Sequence, residues 1–171
     1  LINVDDVWNL GFNGSGVTVC VVDSGVNASH PDLAGKVVAQ KCFCTISNYG
    51  SGGCCPNNAA QDSSASDDNG HGTHVAGIVA ANGNIKGVAK ASSIATVKVC
   101  NSSGSCDPAD VANGISWCRT STNASIISIS LGSGKHDDHS ECDSEAQGQE
   151  INVAFKQGMF VAAASGNDGY I

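Results

Sequence analysis

The stretch "GVTVCVVDSG", Gly16 to Gly25, decides the fold. It is a near-continuous run of β-branched residues closed by Asp-Ser-Gly. A strand with one wet face alternates apolar and polar residues. A run that is apolar throughout reads as a strand buried on both faces, with Asp-Ser-Gly as the turn that ends it. Working outward, "SIATVKVC" (93–100), "ASIISISLG" (124–132) and "GMFVAAASGNDG" (158–169) read the same way. Helical patterns fall between these runs. His71 to Ala81 has small and apolar residues at helical spacing. Asp107 to Cys118 opens with an N-cap aspartate and a proline at the first helical position. Ser144 to Gln157 opens with S-x-x-Q, a capping box. Strands alternating with helices predict parallel βαβ units, an α/β fold of one domain over residues 1–171. The long segment Lys41 to Asp68 is expected to be a surface excursion.

Composition narrows the function. Hydrophobic residues make up 41% and charged ones 14%, a globular balance rather than a disordered one. A formal net charge of −8 gives nucleic acid no basic footprint. No apolar run is long enough to span a bilayer, so no membrane partner is expected. The opening "LINVDDVWNLG" lacks the pattern of a signal peptide, so a secreted protein would be a processed form.

Nine cysteines suit an oxidising, extracellular compartment. Cys42, Cys44, Cys54 and Cys55 crowd one Gly/Ser/Asn-rich loop, and Cys100 and Cys106 bracket another; local cross-links would stabilise both. Structural zinc is the alternative for the first cluster, although C-x-C and C-C spacings fit zinc knuckles poorly. Cys20, inside the apolar run, reads as a buried hydrophobe-like thiol. The odd count leaves at least one thiol to pair elsewhere or stay free.

"DDNGHGTHVAGIVAANG" (67–83) holds His71 and His74 three residues apart. Hydrolytic zinc helices use H-E-x-x-H spacing with a glutamate base, and neither is present. General acid–base chemistry fits better. A histidine in the first turn of a helix meets the positive end of the dipole, so it needs a carboxylate partner to recover basicity. Asp23 at a strand end suits that role, though Asp before Ser-Gly is also an ordinary turn residue. His74, deeper in the helix, reads as a core histidine. Gly166-Asn167 is compatible with a turn and with a side-chain amide held over a reacting carbonyl. Ser130-Leu131-Gly132 reads as a strand end or as a backbone edge that pairs with an extended peptide. In an open parallel sheet these carboxyl ends are where ligands bind.

Together these pieces resemble the subtilisin-like serine proteases, the subtilases. "VVDSGV" looks like their catalytic-aspartate motif, and "GHGTHVAGIVA" matches the catalytic-histidine motif nearly word for word. "SISLG" resembles the substrate-binding strand, and "AAASGNDG" the oxyanion segment. "NVDDVWNLGFNGSGVTV" and "GVAKASSIATVKVCNSSGS" also follow the family. The resemblance implies a three-layer, parallel-sheet subtilisin-like fold and a secreted endopeptidase acting on protein or peptide substrates. It implies Asp23 as the aspartate orienting the base, His71 as the base and acid, and Asn167 as oxyanion donor. Ser130, Leu131 and Gly132 would bind the substrate backbone; Ala163, Ala164 and Gly166 would border the primary specificity pocket. An inhibitory propeptide is a further implied partner, and a structural calcium is an expected ion without an assigned site. No cofactor is required.

The family's nucleophile sits in a Gly-Thr-Ser-Met-Ala-like motif, and none occurs here; "GTH" is the only Gly-Thr. The expectation is a C-terminal fragment of the same enzyme carrying the serine, with the exposed loop after Asn167 as the nick site. Many members of the family hold a strong calcium in a loop inserted within the histidine helix; here that segment, "AANGNIKGVA" (80–89), is short, leaving Asp67 and Asp68 as the other candidates for an ion. Two alternatives are a non-catalytic subtilase-derived fragment that docks extended peptides, and a disulfide-rich structural protein.

Overall fold

The computed structural model describes residues 2–47, 52–132 and 139–167. Helix α1 (Val4–Asn9) is followed by strand β1 (Thr18–Asp23), a 3₁₀ turn (Pro31–Leu33), β2 (Val37–Phe43) and β3 (Gln61–Asp62). Then come α2 (His71–Ala80), β4 (Ser93–Lys98), α3 (Pro108–Ser121), β5 (Ile126–Ile129), α4 (His139–Ser144), α5 (Ala146–Lys156) and β6 (Phe160–Ala163). The six strands form one sheet in the order β3-β2-β4-β1-β5-β6. All neighbours are parallel except β3, which pairs antiparallel with β2.

β1 is central, and its residues 19–23 are all buried. Period-2 geometry divides them between two cores. Cys20 and Val22 pack with Val97, Ile115, Ile127 and Ala154 beneath α3 and α5. Val19 and Val21 pack with Ile94 and Ala80 beneath α2. Two helix layers sandwiching a mainly parallel sheet are what a strand apolar on every position requires.

The excursion from Lys41 is shorter than expected, because β2 runs to Phe43 and β3 returns beside it, adding an antiparallel edge to the predicted parallel sheet. The Ser144 capping box does not form: Ser144 ends α4, and α5 starts beyond Glu145 without a side-chain cap. Asp107 does cap α3, accepting from the Ala109 N–H at 2.8 Å. Cys20 is not a free buried thiol; it is bonded to Cys118 on α3. The local cross-links form as Cys42–Cys55, Cys44–Cys54 and Cys100–Cys106, which removes the zinc alternative. Cys142 is free and exposed.

His74 is exposed rather than core. Gly72, Ala76 and Ala80 are the buried residues of α2, one every four residues. Residue 74 lies about 200° round the helix from residue 72, on the opposite face.

Candidate active site

β1 carries Asp23 in phase with Val19 and Val21, so alternation puts its carboxylate on the α2 side of the sheet. His71 is the first residue of α2. The two side chains meet: His71 Nδ1 lies 2.8 Å from Asp23 Oδ1. Asp23 is 1% exposed while the imidazole is half exposed, so the pair spans the wall of the protein from core to solvent. Oδ1 also accepts the Ser24 N–H at 2.7 Å. An oxygen that already acts as an acceptor fixes the tautomer: Nδ1 carries the proton and donates. Nε2 is left with no hydrogen-bond partner among the described residues.

This approach depends on close backbone packing. A Cβ at position 72 would lie 2.1 Å from the Gly25 carbonyl oxygen and 3.1 Å from Asp23 Oδ1. Gly25 itself sits at φ +104°, where a Cβ would meet the Ala65 carbonyl at 2.4 Å. The glycines of "DSG" and "HGT" thus let α2 descend onto the end of β1.

Asp67 aims the helix. The residue at the N-cap, Gly70, has no side chain, so Asp67 replaces it from three residues upstream. Its Oδ1 accepts from the N–H groups of Asn69 and Gly70, and its Oδ2 from the Thr73 N–H and hydroxyl. The Ser24 hydroxyl donates to Asp67 Oδ1 and accepts from the Gly72 N–H, bridging the end of β1 to α2. Burial pushes the Asp67 carboxyl up, but the donors from Thr73, Gly70, Asn69 and Ser24 outweigh it and hold it below the usual carboxylate range. A depressed carboxylate contributes stability above its unfolded value, about 3.9, and loses it as pH falls through the lower folded value. Melting temperatures of the full-length protein and its Asp67→Asn variant are therefore expected to differ at pH 5 and to converge towards about pH 2. A gap unchanged across that window would show that the charge of Asp67 is not what holds the loop.

The carboxylates of Asp67 and Asp68 are both engaged within the protein. The first is saturated by N–H and O–H donors, and the second pairs with the Lys98 ammonium at 2.6 Å. Among the described residues no group of three His, Cys, Asp or Glu side chains is placed to hold an ion.

Asp23, Ser24, Asn69 and His71 line a cleft with Ser130, Leu131 and Gly132 on one side and Cys100, Gly104 and Cys106 on the other. It opens beyond the carboxyl ends of β1, β4 and β5, where successive strands stop adding on one side of β1 and begin on the other. The sequence reading named the first wall but not the second. That second wall is a turn closed by a disulfide. Asn101 Oδ1 accepts from the Ser103 and Ser105 N–H groups, and Asn69 Nδ2 donates to the Ser102 carbonyl.

The remaining predicted residues lie one strand further on. Ala163 is in register with Ile129, and the Ala164 N–H donates to the Ile129 carbonyl at 3.0 Å. The Gly166 Cα lies 3.9 Å from a Cβ placed on Gly132. Asn167 is exposed and is not among the residues lining the cleft.

Comparison with known proteins places the chain in one family. The model of the Subtilase family, Peptidase_S8, matches residues 14–170. Subtilisin DY of Bacillus licheniformis is 37% identical over 172 residues, spanning 99% of this chain and 54% of its own length. Thermitase of Thermoactinomyces vulgaris is 38% identical, spanning 98% of this chain and 53% of its own. A solved structure described as a cold adapted subtilisin-like serine proteinase superposes with a TM-score of 0.69 at 31% identity, over 91% of this chain and 48% of that one. The chain belongs to the subtilase family. It spans about half the length of the curated relatives it matches.

Proposed function

We propose that these residues form part of an extracellular serine endopeptidase that hydrolyses peptide bonds by acyl transfer, with the nucleophilic serine on a segment outside this sequence. The observation that carries the reading is the His71–Asp23 contact at 2.8 Å with Nε2 unengaged at the cleft. Asp23 holds the tautomer and stabilises the imidazolium that forms. His71 takes the serine proton and returns it to the leaving amine. An extended substrate pairs with the edge at Ser130, Leu131 and Gly132. Ala163, Ala164 and Gly166 border the pocket for the residue before the scissile bond, and the Asn167 amide donates to the oxyanion.

Phe155 and Phe160 are 72% and 66% exposed, and β6 is an edge strand. Both features suit a sheet continued by further polypeptide, the partner that would bring the serine. A propeptide lying along the same cleft as an inhibitor is consistent with this geometry. The relatives do not decide the compartment, since they include a Minor extracellular protease Epr and a Major intracellular serine protease, both of Bacillus subtilis. The disulfides favour the outside of the cell.

The test is covalent labelling of the full-length native protein by a serine-directed fluorophosphonate, with peptide hydrolysis followed in parallel. Labelling and hydrolysis are both expected. A folded full-length protein that binds extended peptides but neither reacts nor cleaves would replace this reading with the non-catalytic one.

A further inference from the structure

Lys98 is an unusual residue for the middle of a parallel sheet. It ends β4, in register with Asp23, and is fully buried. A lysine is almost never fully buried unless it is paired. Removing an ammonium from water costs several kcal/mol, offset only by good geometry at every donor. Here three donors meet three acceptors: Asp68 Oδ1 at 2.6 Å, the Cys100 carbonyl at 2.7 Å and the Ser24 carbonyl at 3.1 Å.

Those acceptors come from three separate segments, and each segment carries part of the cleft. Ser24 follows Asp23. Asp68 lies in the loop that leads through Asn69 into His71. Cys100 opens the disulfide-closed wall. A neutral side chain of similar length would fill the space around the stem. The charge is what binds the three segments to one point.

We propose that Lys98 is a positioning residue for the Asp23–His71 pair, its ammonium clamping the end of β1, the loop leading into α2 and the Cys100–Cys106 wall in one arrangement. This rests on the peptidase reading above. Lys98 lines no part of the cleft and touches no substrate. It acts by holding the carboxylate and the imidazole in register, and misplacement by about 1 Å can cost on the order of 100-fold in rate.

The experiment uses the full-length protein with Lys98→Met, which keeps the stem and removes the charge, and Asp68→Asn, which keeps the acceptor shape. Three quantities are read: kcat and KM on a peptide substrate, the proton resonance of His71 Nδ1–H, and the melting temperature. Lys98→Met is expected to lower kcat by about 10- to 100-fold with KM little changed, and to shift or broaden the Nδ1–H resonance. Asp68→Asn should move kcat and the resonance the same way by a smaller factor, and it carries the test if the methionine variant does not fold. Folded variants with wild-type kcat, or a lowered kcat with the Nδ1–H resonance unmoved, would overturn the proposal. If the parent enzyme neither cleaves nor labels, the peptidase reading itself has failed; if the parent is active and both variants match it, only the role of Lys98 has.

Discussion

Replacing His71 by alanine in the full-length protein is expected to abolish fluorophosphonate labelling and to lower kcat for peptide hydrolysis by about 10⁶-fold, the scale set by removal of the base from a subtilisin itself. The size follows from the site. Among the described cleft residues only His71 presents an unengaged ring nitrogen, and Asp23 is too deeply buried to replace it as a base. The fold should survive the change. Position 71 starts α2 with a half-exposed side chain, and alanine is the best helix former. Asp23 keeps its hydrogen bond from Ser24 but loses the imidazole, so a cost of about 1–3 kcal/mol in stability is expected. Peptide docking along Ser130–Gly132 should be unchanged, because the substitution leaves those residues untouched. Kinetics, labelling and a thermal melt on the same preparation separate these effects. A variant that labels as fast as the parent would remove His71 from the chemistry.

The residues alone leave Asp23 open between partner of His71 and ordinary turn residue, and the family resemblance selects the first; the contact then forms because each half has its own local cause. A doubly apolar strand must end somewhere, and its Asp-Ser-Gly lies at the carboxyl rim. A histidine opening a small-residue helix must lie at that helix's near end. What brings them together is glycine, at positions 25 and 72, and both glycines stand in the quoted motifs.

The failures have the opposite character. An apolar run names a helix without naming its buried face, so His74 reads as core while the buried face is that of Gly72, Ala76 and Ala80. The capping box at Ser144 is a local preference overridden where α4 ends. The second cleft wall leaves no sequence signal, because a short Ser/Gly turn looks the same whether or not something docks beside it. Lys98 did leave a signal, a lone cation inside "SIATVKVC". A charge in a strand buried on both faces demands partners, and the sequence could not say which.

Cys20 belongs with these long-range features, and its bond to Cys118 underlies the second large effect. The pair is separated by 98 residues, against 13 for Cys42–Cys55 and 6 for Cys100–Cys106. Closing a longer loop removes more entropy from the unfolded chain, about 4–5 kcal/mol for a loop near 100 residues. On the same scaling this is roughly 1.8 kcal/mol more than for a 13-residue loop. Both sulfurs lie wholly inside the core between β1 and α3, so the bond also fixes the helix layer opposite α2. Cys20→Ala with Cys118→Ala, in the full-length protein under non-reducing conditions, is expected to lower the melting temperature by about 10–20 °C. The matched change at Cys42 and Cys55 should cost less. Activity below the new melting point should be retained, because Cys20 faces α3 while Asp23, three residues on, faces α2. Equal melting temperatures for the two double variants would mean that loop length is not what the long disulfide contributes. A loss of kcat in the still-folded Cys20/Cys118 variant would mean instead that the two faces of β1 are mechanically coupled, and that the seating of α3 helps to set the position of Asp23.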